Sequence, residues 1–419
     1  MVRMYRKKWK RNLLTALLCY IRDSIVIALP VRRLPRFLIK LLYGSEAKFA
    51  FFVHPRSYQD ITTGIPFFEP IKLLLRRERA YRFLAHINPF ILNTVSSRQG
   101  IDGIVVAQPT VPEVMFSRRK ETVKMLIKAM QLVSKISTPR AVVGLGGWYP
   151  MITARGTLLE TYAKRLKLVV TNGHCGTLAS IVMMVRKILG IINLPMNDAS
   201  LAVIGVGKMG TNVARAFNGN IGRLILIDTR ESSLSKAREQ LNFTNNKTKI
   251  ELVLSSLKDA SALRAALRYA HLGVCATSTF RNLLKLRDMP VGFIAIDDSR
   301  PEALPRDPRL ERIILEGGLL KIKNAQINYN FGFGQDDNVF GCLGEAFAMA
   351  LDAGKSLEPT LGEVDMDNFN RFLTFCEKNE IMEGDLRSCD VIVTEGEVCD
   401  CFENRKKSLP LNKGLEKYP

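Results

Sequence analysis

The sequence predicts an α/β protein built from two α/β domains, the second a Rossmann-type doubly wound parallel sheet, with a basic N-terminal extension. Three observations predict it. The stretch from Leu201 to Arg230 runs from an apolar strand into Gly205-x-Gly207-x-x-Gly210, through a helical segment, to a second apolar strand that ends at Asp228. From Lys48 onward, short apolar strands alternate with helical segments, the pattern of parallel sheets covered by helices. Ahead of these, residues 1–47 combine an apolar run with a dense set of Arg and Lys.

A chain of 419 residues suits two domains plus appendages, and its 47% hydrophobic and 24% charged content can bury a large core. The formal charge of +21 favours anionic partners: nucleotide phosphates, a membrane surface or an acidic carrier protein. Nucleic acid is not expected, because the basic residues are not arranged with a reader helix or stacking aromatics. The eight cysteines are scattered, with neither a CxxC pair nor a His cluster at metal spacing, so the reading is a reducing, cytoplasmic compartment with no metal site. Cys399-x-Cys401 is read as a chance surface pair.

In residues 1–47, basic clusters (Arg3 to Arg11, then Arg32, Arg33, Arg36 and Lys40) flank the apolar run from Leu13 to Val31. Arg22 and Asp23 sit at the middle of that run, and each central charge costs about 2.5–3.5 kcal/mol on insertion, which disfavours a spanning helix. Basic ends around an apolar stretch suit a segment lying in the plane of an anionic membrane, making the protein peripheral to it; a docking helix and a targeting presequence fit the same pattern.

Residues 48–195 are read as a substrate-binding α/β domain. Its strands are 48–54, 103–108, 141–147 and 167–173, and the segment Arg118 to Lys135 carries one apolar stripe of helical period. A helix from Thr177 to Ile191 leads into the Rossmann domain, residues 196–325, whose further strands are expected at 223–227, 250–255, 272–278, 292–299 and 312–318, with a helix over 256–270. Residues 326–375 are read as a loop and a helix, Val339 to Asp352, returning to the first domain, and 376–419 as a C-terminal tail.

In the glycine motif, Gly205 permits a tight turn, Gly207 lets backbone N–H groups approach a pyrophosphate, and Gly210 allows close helix–sheet packing. Lys208 and Met209 open the helix at the phosphate, Thr277 ends a strand of the same sheet, and Asp228 accepts from ribose hydroxyls, which argues for NAD. Arg230 would instead meet a 2′-phosphate, so the cofactor is NADPH or NADH.

Cys342 falls in the first turn of a helix that follows a glycine-rich loop. There the helix dipole and backbone N–H groups favour thiolate, making it a nucleophile; the alternative reading is a small apolar residue on the face of Phe340 and Leu343. Cys175, beside His174, is a rival nucleophile. His54 and His174 both end expected strands, where either serves as a proton source or as a hydrogen-bonded structural histidine.

These motifs resemble the long-chain acyl-(acyl-carrier-protein) reductases, which form fatty aldehydes. The resemblance runs in order over about residues 49–375: Val111-Pro-Glu-Val with Arg118-Arg119, Leu145-Gly-Gly, Thr171-Asn-Gly with Thr177, the Gly205 fingerprint, Ile296-Asp297, Glu316-Gly-Gly and Phe340-Gly-Cys-Leu-Gly-Glu345. It implies that Cys342 accepts the acyl group, that Gly205, Gly207 and Gly210 bind NADPH, and that the substrate is an acyl carrier protein thioester or acyl-CoA. Where the family has Ala-Arg after the second nucleotide-domain strand, this chain has Asp228-Thr229, which keeps NADH open.

The expected reaction is therefore attack by Cys342 on an acyl thioester, hydride transfer and release of an aldehyde, with His54 or His174 as proton source. Two other classes share these features: a shikimate-type dehydrogenase using direct hydride transfer on a small substrate, and a non-catalytic nucleotide-binding protein at the membrane. Oligomeric state is not legible.

Overall fold

The structure is a computed structural model that describes residues 12–55, 61, 68–74, 76–84, 86–97, 100–241, 247–279, 282–299, 302–327, 338–388 and 391–408. It divides into two compact units. The described residues up to Gly176, with those from Ile322 to Ile381, form the first; those from Thr177 to Lys321, with those from Met382 on, form the second. The division falls inside the helix His174–Ile191, which begins three residues before its expected start, and not at the 195/196 boundary read from the sequence.

The first unit holds a six-stranded sheet. Its strands are β1 (Ala47–Val53), β2 (Phe90–Ser97), β3 (Gly103–Ala107), β4 (Ser137–Leu145), β5 (Val169–Thr171) and a short strand Ala325–Ile327. Their spatial order is Ala325–Ile327, β2, β3, β1, β4, β5. The four expected strands are the parallel ones, β3, β1, β4 and β5. β1 lies at their centre, and its Phe49, Ala50, Phe51 and Phe52 are all buried, which is why it reads as a continuous apolar run. β2 and Ala325–Ile327 are antiparallel additions that the pattern did not reveal. In β2 the pairing with β3 shifts between Ile91 and Asn93, so its apolar residues do not alternate.

The helix Arg119–Ile136 buries Met125, Leu126, Ala129, Met130, Leu132 and Val133, the expected stripe. The helix Leu13–Ala28 docks beside it, so the residues from Asn12 on are part of this unit and not a separate segment. Its central charge has a structural purpose. Asp23 is fully buried and accepts from the backbone N–H of Ile91 at 2.6 Å, from Arg22 Nε at 2.8 Å and from the Tyr43 hydroxyl at 3.0 Å. Lys135 Nζ donates to the carbonyls of Val26, Ile27 and Leu29 at 2.8–2.9 Å, closing the helix C-terminus.

The second unit is the expected doubly wound sheet. Its strands are β6 (Ser200–Ile204), β7 (Arg223–Asp228), β8 (Lys249–Leu254), β9 (Leu272–Cys275), β10 (Ile294–Asp297) and β11 (Ile313–Glu316). All are parallel, in the order β11-β10-β9-β6-β7-β8. Counted from β6 this is the 3-2-1-4-5-6 Rossmann order, with its switch point between β6 and β9. The helix expected over 256–270 is limited to Ser261–Leu267.

Residues 376–419 are not simply a tail. The helix Met366–Lys378 crosses their start, and the helix Glu395–Ser408 is fastened to the second unit by Arg405. Arg405 is fully buried and donates to the carbonyls of Leu267, Arg268 and Ala270 at 2.7–2.9 Å. The Cys399 and Cys401 thiols lie on two different carbonyls, of Ile191 and Glu311. The glycine-rich loop ahead of Cys342, with Asp336-Asp337, lies outside the described residues.

Candidate functional site

In the second unit, β6 feeds a turn that only glycine can make. Gly205 has φ +87°, and a Cβ there would stand 2.5 Å from Thr277 Cγ2 and 2.9 Å from the Ala276 carbonyl. The helix Lys208–Phe217 packs so close behind that a Cβ on Gly210 would lie 2.0 Å from the Gly205 carbonyl. Above Gly207, by contrast, the space is open, and Gly207 is the helix N-cap without a capping side chain. Lys208 and Met209 are the first two helical residues, so their N–H groups belong to the turn that favours an anion.

Asp228 ends β7 and is buried. Its Oδ2 accepts the Val206 N–H at 2.9 Å and its Oδ1 the Arg230 N–H at 2.9 Å, which fixes the carboxylate beside the glycine turn with further lone pairs to offer. The Arg230 side chain is exposed, with Nε 3.6 Å from Asp228 Oδ1. Thr277 N–H donates to Ser299 Oγ at 3.1 Å across the ends of β9 and β10. A tight turn at the switch point, open space over the middle glycine, an uncapped helix start and an anchored acid together fit a dinucleotide.

In the first unit, the helix Gly341–Asp352 lies along β4 and β1, close enough that a Cβ on Gly144 would meet Ala346 Cβ at 2.8 Å. Cys342 is its second residue, half-buried, and the N-cap residue Phe340 supplies no side-chain cap. The turn after β5 abuts this helix start. A Cβ on Gly173, whose φ is +77°, would stand 2.2 Å from Cys342 Cβ, and one on Gly176 would stand 2.1 Å from the Gly341 carbonyl. Two motifs far apart in the chain thus meet at Cys342.

Glu345, one turn on, is buried and ties the two elements together. Its Oε2 accepts the Gly176 N–H at 2.8 Å and its Oε1 accepts the Thr171 hydroxyl. Thr171 in turn accepts the Thr360 N–H at 3.0 Å. Burial pushes the Glu345 carboxyl up, opposed by these hydrogen bonds. Thr360 had no motif to mark it; its part in the network follows only from the fold.

The remaining candidates separate. Cys175 is buried, and burial followed by the nearby Glu345 pushes its thiol well up, so it is no rival nucleophile at neutral pH. His174 opens the helix His174–Ile191, its N–H on Asn172 Oδ1 at 2.9 Å; burial, then the charge of Arg155, lowers it to about 4 against the opposing pull of Glu363. It is neutral at neutral pH, so as a proton source it would act as a neutral imidazole. His54 is corrected further. Its Nε2 accepts the Trp148 N–H at 2.9 Å, which leaves the proton on Nδ1, 3.0 Å from the Pro55 carbonyl. Both nitrogens are spent on backbone, the signature of a structural histidine.

No protein-family model and no curated protein matches the sequence. Among solved structures, the chain is similar to a dipicolinate synthase from Bacillus halodurans, with 16% identity, a TM-score of 0.27 and coverage of 42% of this chain and 56% of that one. It is also similar to L-tryptophan dehydrogenase from Nostoc punctiforme, with 11% identity, a TM-score of 0.37 and coverage of 86% and 89%. The third is the Thermococcus litoralis Δ1-pyrroline-2-carboxylate reductase in complex with NADH and L-proline, with 13% identity, a TM-score of 0.23 and coverage of 34% and 37%. The chain spans a little over half the length of the dipicolinate synthases it matches, 56% for the Bacillus halodurans protein and 55% for that of Bacillus subtilis.

Proposed function

We propose that the protein is an NAD(P)H-dependent oxidoreductase that reduces a long-chain acyl thioester, carried by acyl carrier protein or coenzyme A, to a fatty aldehyde through a Cys342 acyl-enzyme. The observation that carries this reading is the setting of Cys342: second residue of a twelve-residue helix with no capping side chain, held against a glycine at position 173. The partial positive charge of a helix N-terminus stabilises thiolate, the reactive form.

The Cys342 thiolate attacks the thioester carbonyl; the carbon–sulfur bond to the carrier breaks, and the carrier thiolate leaves and takes a proton from water. Backbone N–H groups at the start of the Gly341–Asp352 helix are the donors nearest to hand for the oxygen charge that develops. The pyrophosphate of a nicotinamide cofactor would be held over Gly207 by the N–H groups of Lys208 and Met209, in the turn that Gly205 and Gly210 make possible, and Asp228 would take its adenosine ribose, with Thr277 at the neighbouring strand end. When bound, the cofactor supplies the hydride that reduces the acyl carbon. The resulting hemithioacetal expels Cys342 as thiolate and frees the aldehyde. Glu345 acts through position, clamping the Cys342 helix to the β5 turn.

Purified protein given a long-chain acyl-CoA or acyl carrier protein thioester with reduced nicotinamide consumes cofactor and yields aldehyde, and Cys342→Ala does not. Aldehyde formed equally well by that variant overturns the covalent route. Turnover of a small polar ketone by the same variant selects the shikimate-type reading, and cofactor binding without any turnover selects the non-catalytic one.

A further inference from the structure

The helix Leu13–Ala28 buries Ala16, Asp23 and Val26, and its opposite face carries Leu14, Leu18, Ile21 and Ile25 at helical spacing, all exposed. The next helix, Arg36–Tyr43, buries Ile39 and leaves Phe37 and Leu41 at 69% and 76% exposure. Arg32, Arg36 and Lys40 are exposed among these apolar residues. Charge here has one sign: Asp23 is the only acid in residues 1–45, and it is fully buried. Glu46, just beyond, is held by Arg33 at 2.7 Å and stands 3.5 Å from Arg36.

We propose that this face is a membrane-docking surface for anionic lipid. Apolar side chains in a stripe, with Arg and Lys beside them, are what an in-plane segment needs to enter the headgroup boundary while neutralising lipid phosphates. A second copy of the chain is a poor occupant, since pairing two such faces brings the exposed Arg32, Arg36 and Lys40 against their equivalents, and the one carboxylate beside them, Glu46, is already engaged by Arg33 and Arg36. The Asp23 and Lys135 anchors fix the helix on the protein with its apolar stripe turned outward, so the surface is built before any lipid is met. This inference stands apart from thioester chemistry, because vesicle binding is read without turnover.

The test is sedimentation of the full chain with phosphatidylcholine vesicles that do or do not contain phosphatidylserine. The wild type goes down with the anionic vesicles, less so as salt rises. Ile25→Glu with Phe37→Glu, and separately Arg32→Gln with Arg36→Gln and Lys40→Gln, weakens that binding on the order of tenfold with melting unchanged. Wild-type protein left in solution by anionic vesicles overturns the proposal, as does undiminished binding by both variants. Light scattering that shows a stable dimer split by Ile25→Glu also overturns it, assigning the face to a contact between copies.

Discussion

Gly173 lies against Cys342 so closely that a Cβ built on the glycine would stand 2.2 Å from the Cys342 Cβ. Gly173 also has φ +77°, which side-chain-bearing residues rarely adopt. Gly173→Ala must therefore push back the start of the Gly341–Asp352 helix and strain the turn. The expected cost is about 2–4 kcal/mol of stability, with slowed alkylation of Cys342 by iodoacetamide, checked by urea unfolding and mass spectrometry. A variant as stable and as reactive as wild type would contradict the packing.

Glu345 joins the same two elements through Gly176 and Thr171. Glu345→Leu leaves a buried hydroxyl and a buried N–H to find other partners and is expected to cost about 2–4 kcal/mol, whereas Glu345→Gln, which keeps the acceptor, costs about 1 kcal/mol. Denaturant unfolding of both variants checks the order.

His174, lowered to about 4 by burial and by Arg155, makes stability depend on pH. The folded state binds fewer protons than the unfolded chain between this value and the ordinary 6.5, so this stability is present above pH 6.5 and lost as pH falls toward 4. The span corresponds to about 3 kcal/mol. Unfolding curves across that window, compared with those of His174→Gln, are expected to show the wild type losing more on acidification; parallel curves would contradict it.

Asp228 sets a fixed negative charge beside the glycine turn, where a ribose 2′-hydroxyl is a partner and a 2′-phosphate is repelled. Wild-type protein is expected to bind NADH more tightly than NADPH. Asp228→Ser, which frees the exposed Arg230 to meet a phosphate, should move the ratio of the two affinities toward NADPH by about tenfold, measured by fluorescence titration.

The Rossmann sheet was legible because its signals are local: each strand is a short apolar run, and the glycine turn sits close in sequence to its acid. Cys342 was legible as a helix-start cysteine, and the Thr171-Asn-Gly and Phe340-Gly-Cys motifs were visible separately. That they touch was not, because their contact depends on the Gly341–Asp352 helix packing on β4, a strand that precedes it by the length of a whole domain in sequence. Asp23 illustrates the limit in the other direction. In the sequence it is a charge interrupting an apolar run, and only the fold supplies the Ile91 N–H that it satisfies. His54 looked available at a strand end because backbone acceptors and donors such as Pro55 and Trp148 carry no side-chain signature.

The central claim is that the sulfur at position 342 takes the acyl group. Intact-protein mass spectrometry after incubation with a long-chain acyl-CoA, without reduced nicotinamide, tests it most directly. The expected result is a gain of one acyl group that maps to the peptide containing Cys342, disappears in Cys342→Ala and is discharged when NADH or NADPH is added. An unmodified protein that still makes aldehyde, or an acyl group mapped to Cys175 or another residue, would contradict it.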